Sequence, residues 1–214
     1  MNPVTLSDAT TSLRGKAGHV SEVEPDRENT PWLQRFDHLL PPERHVLDLG
    51  CGVGDDTVEL AAMGCAVIAL DFDQSRIRQV PHWAAQLCIV GDIATGLPFA
   101  DRSFDSVISS LSLHYFTHAE TERAFADIAR ILIPSGNLIC RVNATGDLNF
   151  GYGAGEEVEP SVFRQSNGYL KRFFDKPMLL RFIDPCFRLI EIAPRSILQN
   201  GVEKRTLECL ARKR

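Results

Sequence analysis

The 214-residue chain is 44 % hydrophobic and 24 % charged, an ordinary globular balance that excludes a disordered, collagen-like or mucin-like protein and leaves length for one domain with an unstapled core. Twenty-three basic against twenty-eight acidic side chains give a net charge of −5, which offers no electrostatic footprint for nucleic acid or an anionic membrane. Six cysteines without a C-x-x-C pair read as small core residues, with neither a disulfide framework nor a metal site indicated.

In chain order, residues 1–30 are polar and mixed in charge, which predicts a flexible or loosely docked arm. They hold no signal-like apolar stretch, and no later run is long enough to span a bilayer, so a cytoplasmic protein without a membrane partner is expected. Trp32, Leu33, Phe36, Leu39 and Leu40 fall at helical spacing before Pro41 and Pro42. A repeating beat follows. Strands are predicted over 46–49, 66–70, 87–90, 104–109 and 138–142, with helices over 56–63, 74–80 and 119–132. This alternation predicts a Rossmann-like, doubly wound, mostly parallel α/β sheet with helices on both faces. Residues 143–174 interrupt the beat with five glycines and six aromatic side chains, and a cover over the substrate is expected there. A helix over 176–182 and strands over 187–192 and 206–211 complete a seven-stranded domain spanning 31–214.

The sharpest signal is Val46-Leu47-Asp48-Leu49-Gly50-Cys51-Gly52-Val53-Gly54, a strand running into a G-x-G-x-G turn and a helix. Dinucleotide enzymes use G-x-G-x-x-G, whose third glycine sits one place later, and no Tyr-x-x-x-Lys pair is present. The shorter turn suits a ligand chain crossing close to the backbone. Seventeen residues on, Asp71 ends the second strand, where an acceptor-only carboxylate can take both hydroxyls of a ribose. Gly91-Asp92-Ile93 ends the third, where a carboxylate followed by a main-chain N–H can read an adenine edge. The three features fall along the carboxyl edge of the sheet, where open α/β folds bind ligands.

These motifs resemble the class I S-adenosylmethionine-dependent methyltransferases, in the small, single-domain branch that acts on small molecules. Leu97-Pro98-Phe99, the strand from Phe104 to Ser110 and the turn Leu132-Ile133-Pro134-Ser135-Gly136 extend the likeness, with Ser135 standing where glycine is usual. The resemblance implies S-adenosyl-L-methionine as cofactor; no metal is expected, since His114 and His118 beside Glu120 and Glu122 do not make the three convergent ligands a site needs. Asp48 would orient the methionine amino group, and Gly50, Cys51, Gly52 and Gly54 would carry the amino-acid moiety. Asp71 would take the ribose diol, Phe72 would pack beside the adenine, and Asp92 with Ile93 would bind its polar edge. Ser109, Ser110 and Leu111 would line the sulfonium side.

His114 and Tyr115 follow the fourth strand, where the family meets its substrate, and are the candidates to position an acceptor or take its proton. His118, beside Glu120 and Glu122, reads as the start of the next helix. Tyr152, Tyr169, Arg172 and Phe173 are expected to contact substrate, while Glu156, Glu157 and Glu159 read as a solvated acidic face. Ser109-Ser110-Leu111-Ser112 lacks the N-P-P-Y that grips a flipped base. The expected function is methyl transfer to a small-molecule acceptor by a monomer or homodimer, the alternative being a non-catalytic cofactor binder.

Overall fold

A computed structural model describes residues 31–214; the arm expected over 1–30 lies outside them. A 3₁₀ turn over Leu33–Leu39 leads into β1 (His45–Leu49), α1 (Asp55–Ala62), β2 (Ala66–Asp71), α2 (Gln74–Ile77) and β3 (Leu87–Val90). Next come β4 (Phe104–Ser110), α3 (His118–Ile131) and β5 (Leu132–Asn143). Three short strands follow, β6 (Glu156–Glu159), β7 (Val162–Arg164) and β8 (Leu170–Arg172), and then α4 (Lys176–Ile183), β9 (Phe187–Gln199) and β10 (Val202–Lys213).

Seven strands form one sheet in the order β3-β2-β1-β4-β5-β10-β9. The first five pair in parallel, whereas β10 runs antiparallel to both β5 and β9. The Rossmann-like, mostly parallel sheet read from the sequence is present. Side-chain alternation along each strand divides the core. Leu47, Leu49, Val107, Leu138, Cys140 and Val142 face Phe125 and Ile128 of α3 and Leu179 and Phe182 of α4. Their neighbours Val46, Ile108 and Ile139 point the other way, onto Leu60 of α1 and Trp32, Leu33 and Phe36.

Local chemistry sets the helix starts. Thr117 and Glu120 close a capping box on α3. Asp175 caps α4, with Pro177 in its first turn. Asp73 caps α2, accepting from the Ser75 and Arg76 N–H groups. Ser135 adopts φ 62, a left-handed conformation that explains why glycine is usual at this turn.

Two expectations are corrected. Residues 143–174, to which the sequence assigned no strands, contain β6, β7 and β8 in a three-stranded antiparallel sheet, tied to the main sheet by the Phe174 N–H donating to Asn143 O at 2.8 Å. Its strands of three and four residues are too short to leave a periodic signal. The last two strands run to 13 and 12 residues. They meet at Asn200-Gly201, both at positive φ, a dipeptide that signals a two-residue hairpin.

Candidate active site

The carboxyl ends of β1, β2 and β4 build one cradle. Gly50, Gly52 and Gly54 take φ of 79°, 56° and 97°, which L side chains avoid. A Cβ on Gly50 would lie 2.3 Å from the Ser112 Cβ, so the turn presses directly on the segment leaving β4. The Gly50 and Cys51 N–H groups both donate to Leu70 O, at 2.7 and 3.0 Å. Asp71, the next residue, is buried. Its Oδ2 accepts from the Gly52 N–H at 2.8 Å and its Oδ1 from the Asp73 N–H at 2.9 Å. A carboxylate offers about four lone-pair sites, so two remain for a ligand's hydroxyls.

Negative charge crowds this turn. The Thr57 hydroxyl donates to Oδ2 of buried Asp48 at 2.5 Å. Burial, then the charge of Asp56, pushes the Asp48 carboxyl well above the usual carboxylate range, and Asp71 adds to the push. Burial and the same Asp48 and Asp71 charges push the Cys51 thiol up. A cationic ligand placed beside Asp48 would draw its carboxyl back towards the ionised form. Arg76 supplies the opposing charge: one guanidinium nitrogen lies 2.7 Å from where a Gly52 Cβ would stand.

Neither Arg76 nor Ser112 stood out in the sequence. The signal for Arg76 is its place three residues after the α2 cap Asp73, close behind the strand-ending acid. Ser112 is reached only through Leu111, whose φ of 55° reverses the chain in a way its residue type does not announce.

The other expected cofactor residues fall into two groups. Phe72 is exposed beside Asp71, and Ser110 and Leu111 are half-buried at the end of β4. Asp92 is exposed and caps a short 3₁₀ turn, its Oδ1 accepting from the Ala94 N–H at 2.9 Å, while Ile93 packs into the core. Ser109 needs correction. It is fully buried, and its hydroxyl donates to Leu49 O at 3.1 Å, beside the Ser112 hydroxyl that donates to the same carbonyl at 2.8 Å. Both brace the glycine turn from behind.

Beyond β4, His114 is buried with its ring centroid 4.4 Å from that of the half-exposed Tyr115. Burial first, then the charges of Lys204 and Lys171, hold His114 well below the usual imidazole range, so the ring is neutral near pH 7. The four expected substrate residues separate. Tyr169 is exposed, and Tyr152 packs edge-on to Phe163 and Phe173, with centroids 5.5 and 5.4 Å apart.

Arg172 and Phe173 are fully buried and serve the interior. The Arg172 guanidinium donates to Glu159 at 2.7 Å and to Phe116 O at 3.4 Å. Glu159 also accepts from the His118 N–H, so it is a structural anchor instead of part of a solvated face. Among the described residues no group of three or more His, Cys, Asp or Glu side chains could hold a metal ion.

Residues 47–140 match the model of a methyltransferase domain. The match covers somewhat less than half of the chain, and over it the sequence is similar to methyltransferases. It is 36 % identical over 110 residues to an uncharacterized methyltransferase of Synechocystis sp., across 48 % of this chain and 51 % of that protein. Over 98 residues it is 34 % identical to the demethylmenaquinone methyltransferase of Renibacterium salmoninarum, across 46 % and 40 % of the two chains. The matched stretch thus spans about half, or less, of the length of these curated relatives. Among solved structures, a S-adenosylmethionine-dependent methyltransferase from Methanosarcina mazei superposes with a TM-score of 0.72 over 84 % of this chain and 96 % of that one. At 21 % identity that likeness is one of fold.

The glycine turn, Asp71, Asp92 and His114 all lie inside the matched methyltransferase stretch. Tyr152, Tyr169, Lys171 and Lys204 lie outside it.

Proposed function

We propose that the protein transfers the methyl group of S-adenosylmethionine to a small-molecule acceptor bound between the ends of β4 and β5. The observation that carries this reading is Asp71, a buried carboxylate fixed by two main-chain N–H groups across a glycine turn, with capacity left for a diol. The surrounding Asp48 and Asp56 suit a ligand that carries an ammonium and a sulfonium, and Arg76 lies where it can meet the ligand's own carboxylate. When bound, the cofactor supplies an electrophilic methyl carbon, so the reaction needs no covalent intermediate on the protein.

What the chain contributes is position and dryness. Gly50 and Gly52 admit the ligand main chain, Asp71 holds the sugar, and Tyr115 with neutral His114 faces the acceptor side. A neutral imidazole of depressed basicity is suited to hydrogen-bonding an acceptor more than to holding its proton. A small-molecule acceptor fits the net charge of −5 and the name of the demethylmenaquinone-methylating relative. The test is calorimetric binding of S-adenosylhomocysteine to wild type and Asp71→Ala, followed by labelled-methyl transfer to a metabolite extract. Binding that Asp71→Ala weakens, with label incorporated by wild type, supports the reading. No binding by folded wild type overturns it.

A further inference from the structure

A second cluster of polar groups lies beside this cradle and is not accounted for by cofactor binding. Asn143 at the end of β5 stands opposite Thr206 of β10 in the antiparallel ladder, so Lys204, two residues from Thr206, shares that face. Asp147 follows in the turn after β5, where the Ala144 N–H donates to Arg205 O at 3.0 Å and the Asp147 N–H to Ala144 O. The Lys171 ammonium donates to Phe150 O at 3.1 Å, and the Lys204 ammonium sits 4.1 Å from the centroid of the Phe150 ring. His114 is joined to the same region through its carbonyl, which accepts from the Arg172 N–H at 2.7 Å. Both lysines lie close enough to act on the charges of His114 and of Asp147.

Two features set this cluster apart from a structural network. His114 Nδ1, Asn143 Oδ1, Asn143 Nδ2 and Asp147 Oδ2 are buried without a hydrogen-bond partner, in a class of group that folded proteins almost always satisfy. The charges do not balance either. Two ammonium groups face one carboxylate, and neither lysine forms a salt bridge among the described residues. Lys204 is only 3 % exposed, and a buried cation without a matching anion is costly. A ligand that restores the balance is a monoanion. A carboxylate has two acceptor oxygens, enough for both ammonium groups and the Asn143 amide N–H together.

We propose that this cluster is the acceptor-binding pocket and that it holds the carboxylate of a small organic acid between Lys171, Lys204 and Asn143. The proposal rests on the methyl-transfer reading for calling the ligand an acceptor, and adds its chemical class. The carboxylate anchors the acceptor, and His114 and Tyr115 flank it on the cofactor side. A cationic acceptor would add to the unmatched positive charge, and a neutral one would leave it unmatched.

The test uses the full chain loaded with S-adenosylhomocysteine and calorimetry with matched probes: acetate, benzoate and 4-hydroxybenzoate against acetamide, benzamide and 4-hydroxybenzamide. The expected result is that at least one carboxylate binds ten times more tightly than its amide. Lys204→Met and Lys171→Met should each abolish that preference while S-adenosylhomocysteine binding stays within twofold. The proposal is overturned if no carboxylate outbinds its amide, undetectable binding of both included, or if both lysine variants keep the preference. S-adenosylhomocysteine binding without carboxylate preference rejects this pocket alone. Failure of wild type to bind S-adenosylhomocysteine rejects the methyl-transfer reading itself.

Discussion

The guanidinium of Arg141 lies 4.3 Å from the ring centroid of Trp32, so a β5 side chain clasps the segment that precedes β1. Trp32 also donates its indole N–H to Asp56 Oδ1 at 2.8 Å, in the first turn of α1. Arg141 in turn donates to Glu208 of β10 at 3.0 Å. The entry segment, the first helix and the antiparallel edge are joined through this one ring. Trp32→Ala removes a buried ring and leaves Asp56 without its neutral donor. The expected cost is about 3–5 kcal/mol in urea denaturation, and a loss under 1 kcal/mol would show that the entry segment is only loosely attached.

At the cradle, Asp71→Ala removes the acceptor for the Gly52 N–H as well as for a ribose. Binding of S-adenosylhomocysteine should weaken by roughly 1.5–3 kcal/mol, the scale of hydrogen bonds to a charged group. Gly52→Val forces a branched side chain into a left-handed backbone and against the Arg76 guanidinium, so binding should vanish. Calorimetry on both variants decides the point. Normal binding by either would move the ligand away from this turn.

Lys204 gives a stability signature with a definite sign. Burial holds its ammonium down to about 8 from an ordinary 10.5. Between those values the unfolded chain binds more protons, so wild-type stability gains from this group as pH rises from about 8 to 10.5. Below about 8 the full penalty is present, on the order of 3 kcal/mol. Lys204→Met should therefore be more stable than wild type at pH 7, with the difference closing towards pH 10.5. Paired denaturation curves at the two pH values check this, and a gap that does not change with pH would contradict it.

Tyr152 and Tyr169 separate the structural from the contact role in the small sheet. Tyr152→Ala loses two edge-to-face neighbours and should cost about 1–3 kcal/mol. Tyr169→Ala changes an exposed ring and should leave the melting temperature unchanged. Amides of β6, β7 and β8 should already be protected from exchange in the ligand-free protein, since all three strands are paired. Rapid exchange throughout would return the segment to the role of a mobile cover.

The parallel half of the fold was legible because β1, β2 and β3 are short, largely apolar strands that each run into a glycine or end on an acid. That is why the turn at Gly50, Gly52 and Gly54, and Asp71 behind it, could be placed from spacing alone. Ser109 was misjudged because burial at a strand end depends on what lies beyond it, here Ser112 returning onto Leu49 O. Arg172 and Phe173 were misjudged for a related reason: aromatic and basic residues among glycines look exposed until short strands pair and turn them inward. Lys204 gave no signal, since a lysine between Glu203 and Arg205 reads as solvated until the β5–β10 register, with Thr206 opposite Asn143, puts it on the same face.

The strand order has a consequence for how the chain assembles. β9 precedes β10 in sequence, yet β10 is the inner strand and β9 pairs with nothing else in the sheet. As the chain emerges, residues 187–199 have no partner and the free side of β5 remains an open edge until residues 202–213 follow. The Asn200-Gly201 turn resolves this by letting the hairpin zip locally and dock as a unit, trading a slow long-range search for a short-range one. Interrupting the hairpin at that turn would therefore prolong the lifetime of an unpaired β5 edge, and with it the interval in which two nascent chains can pair with each other.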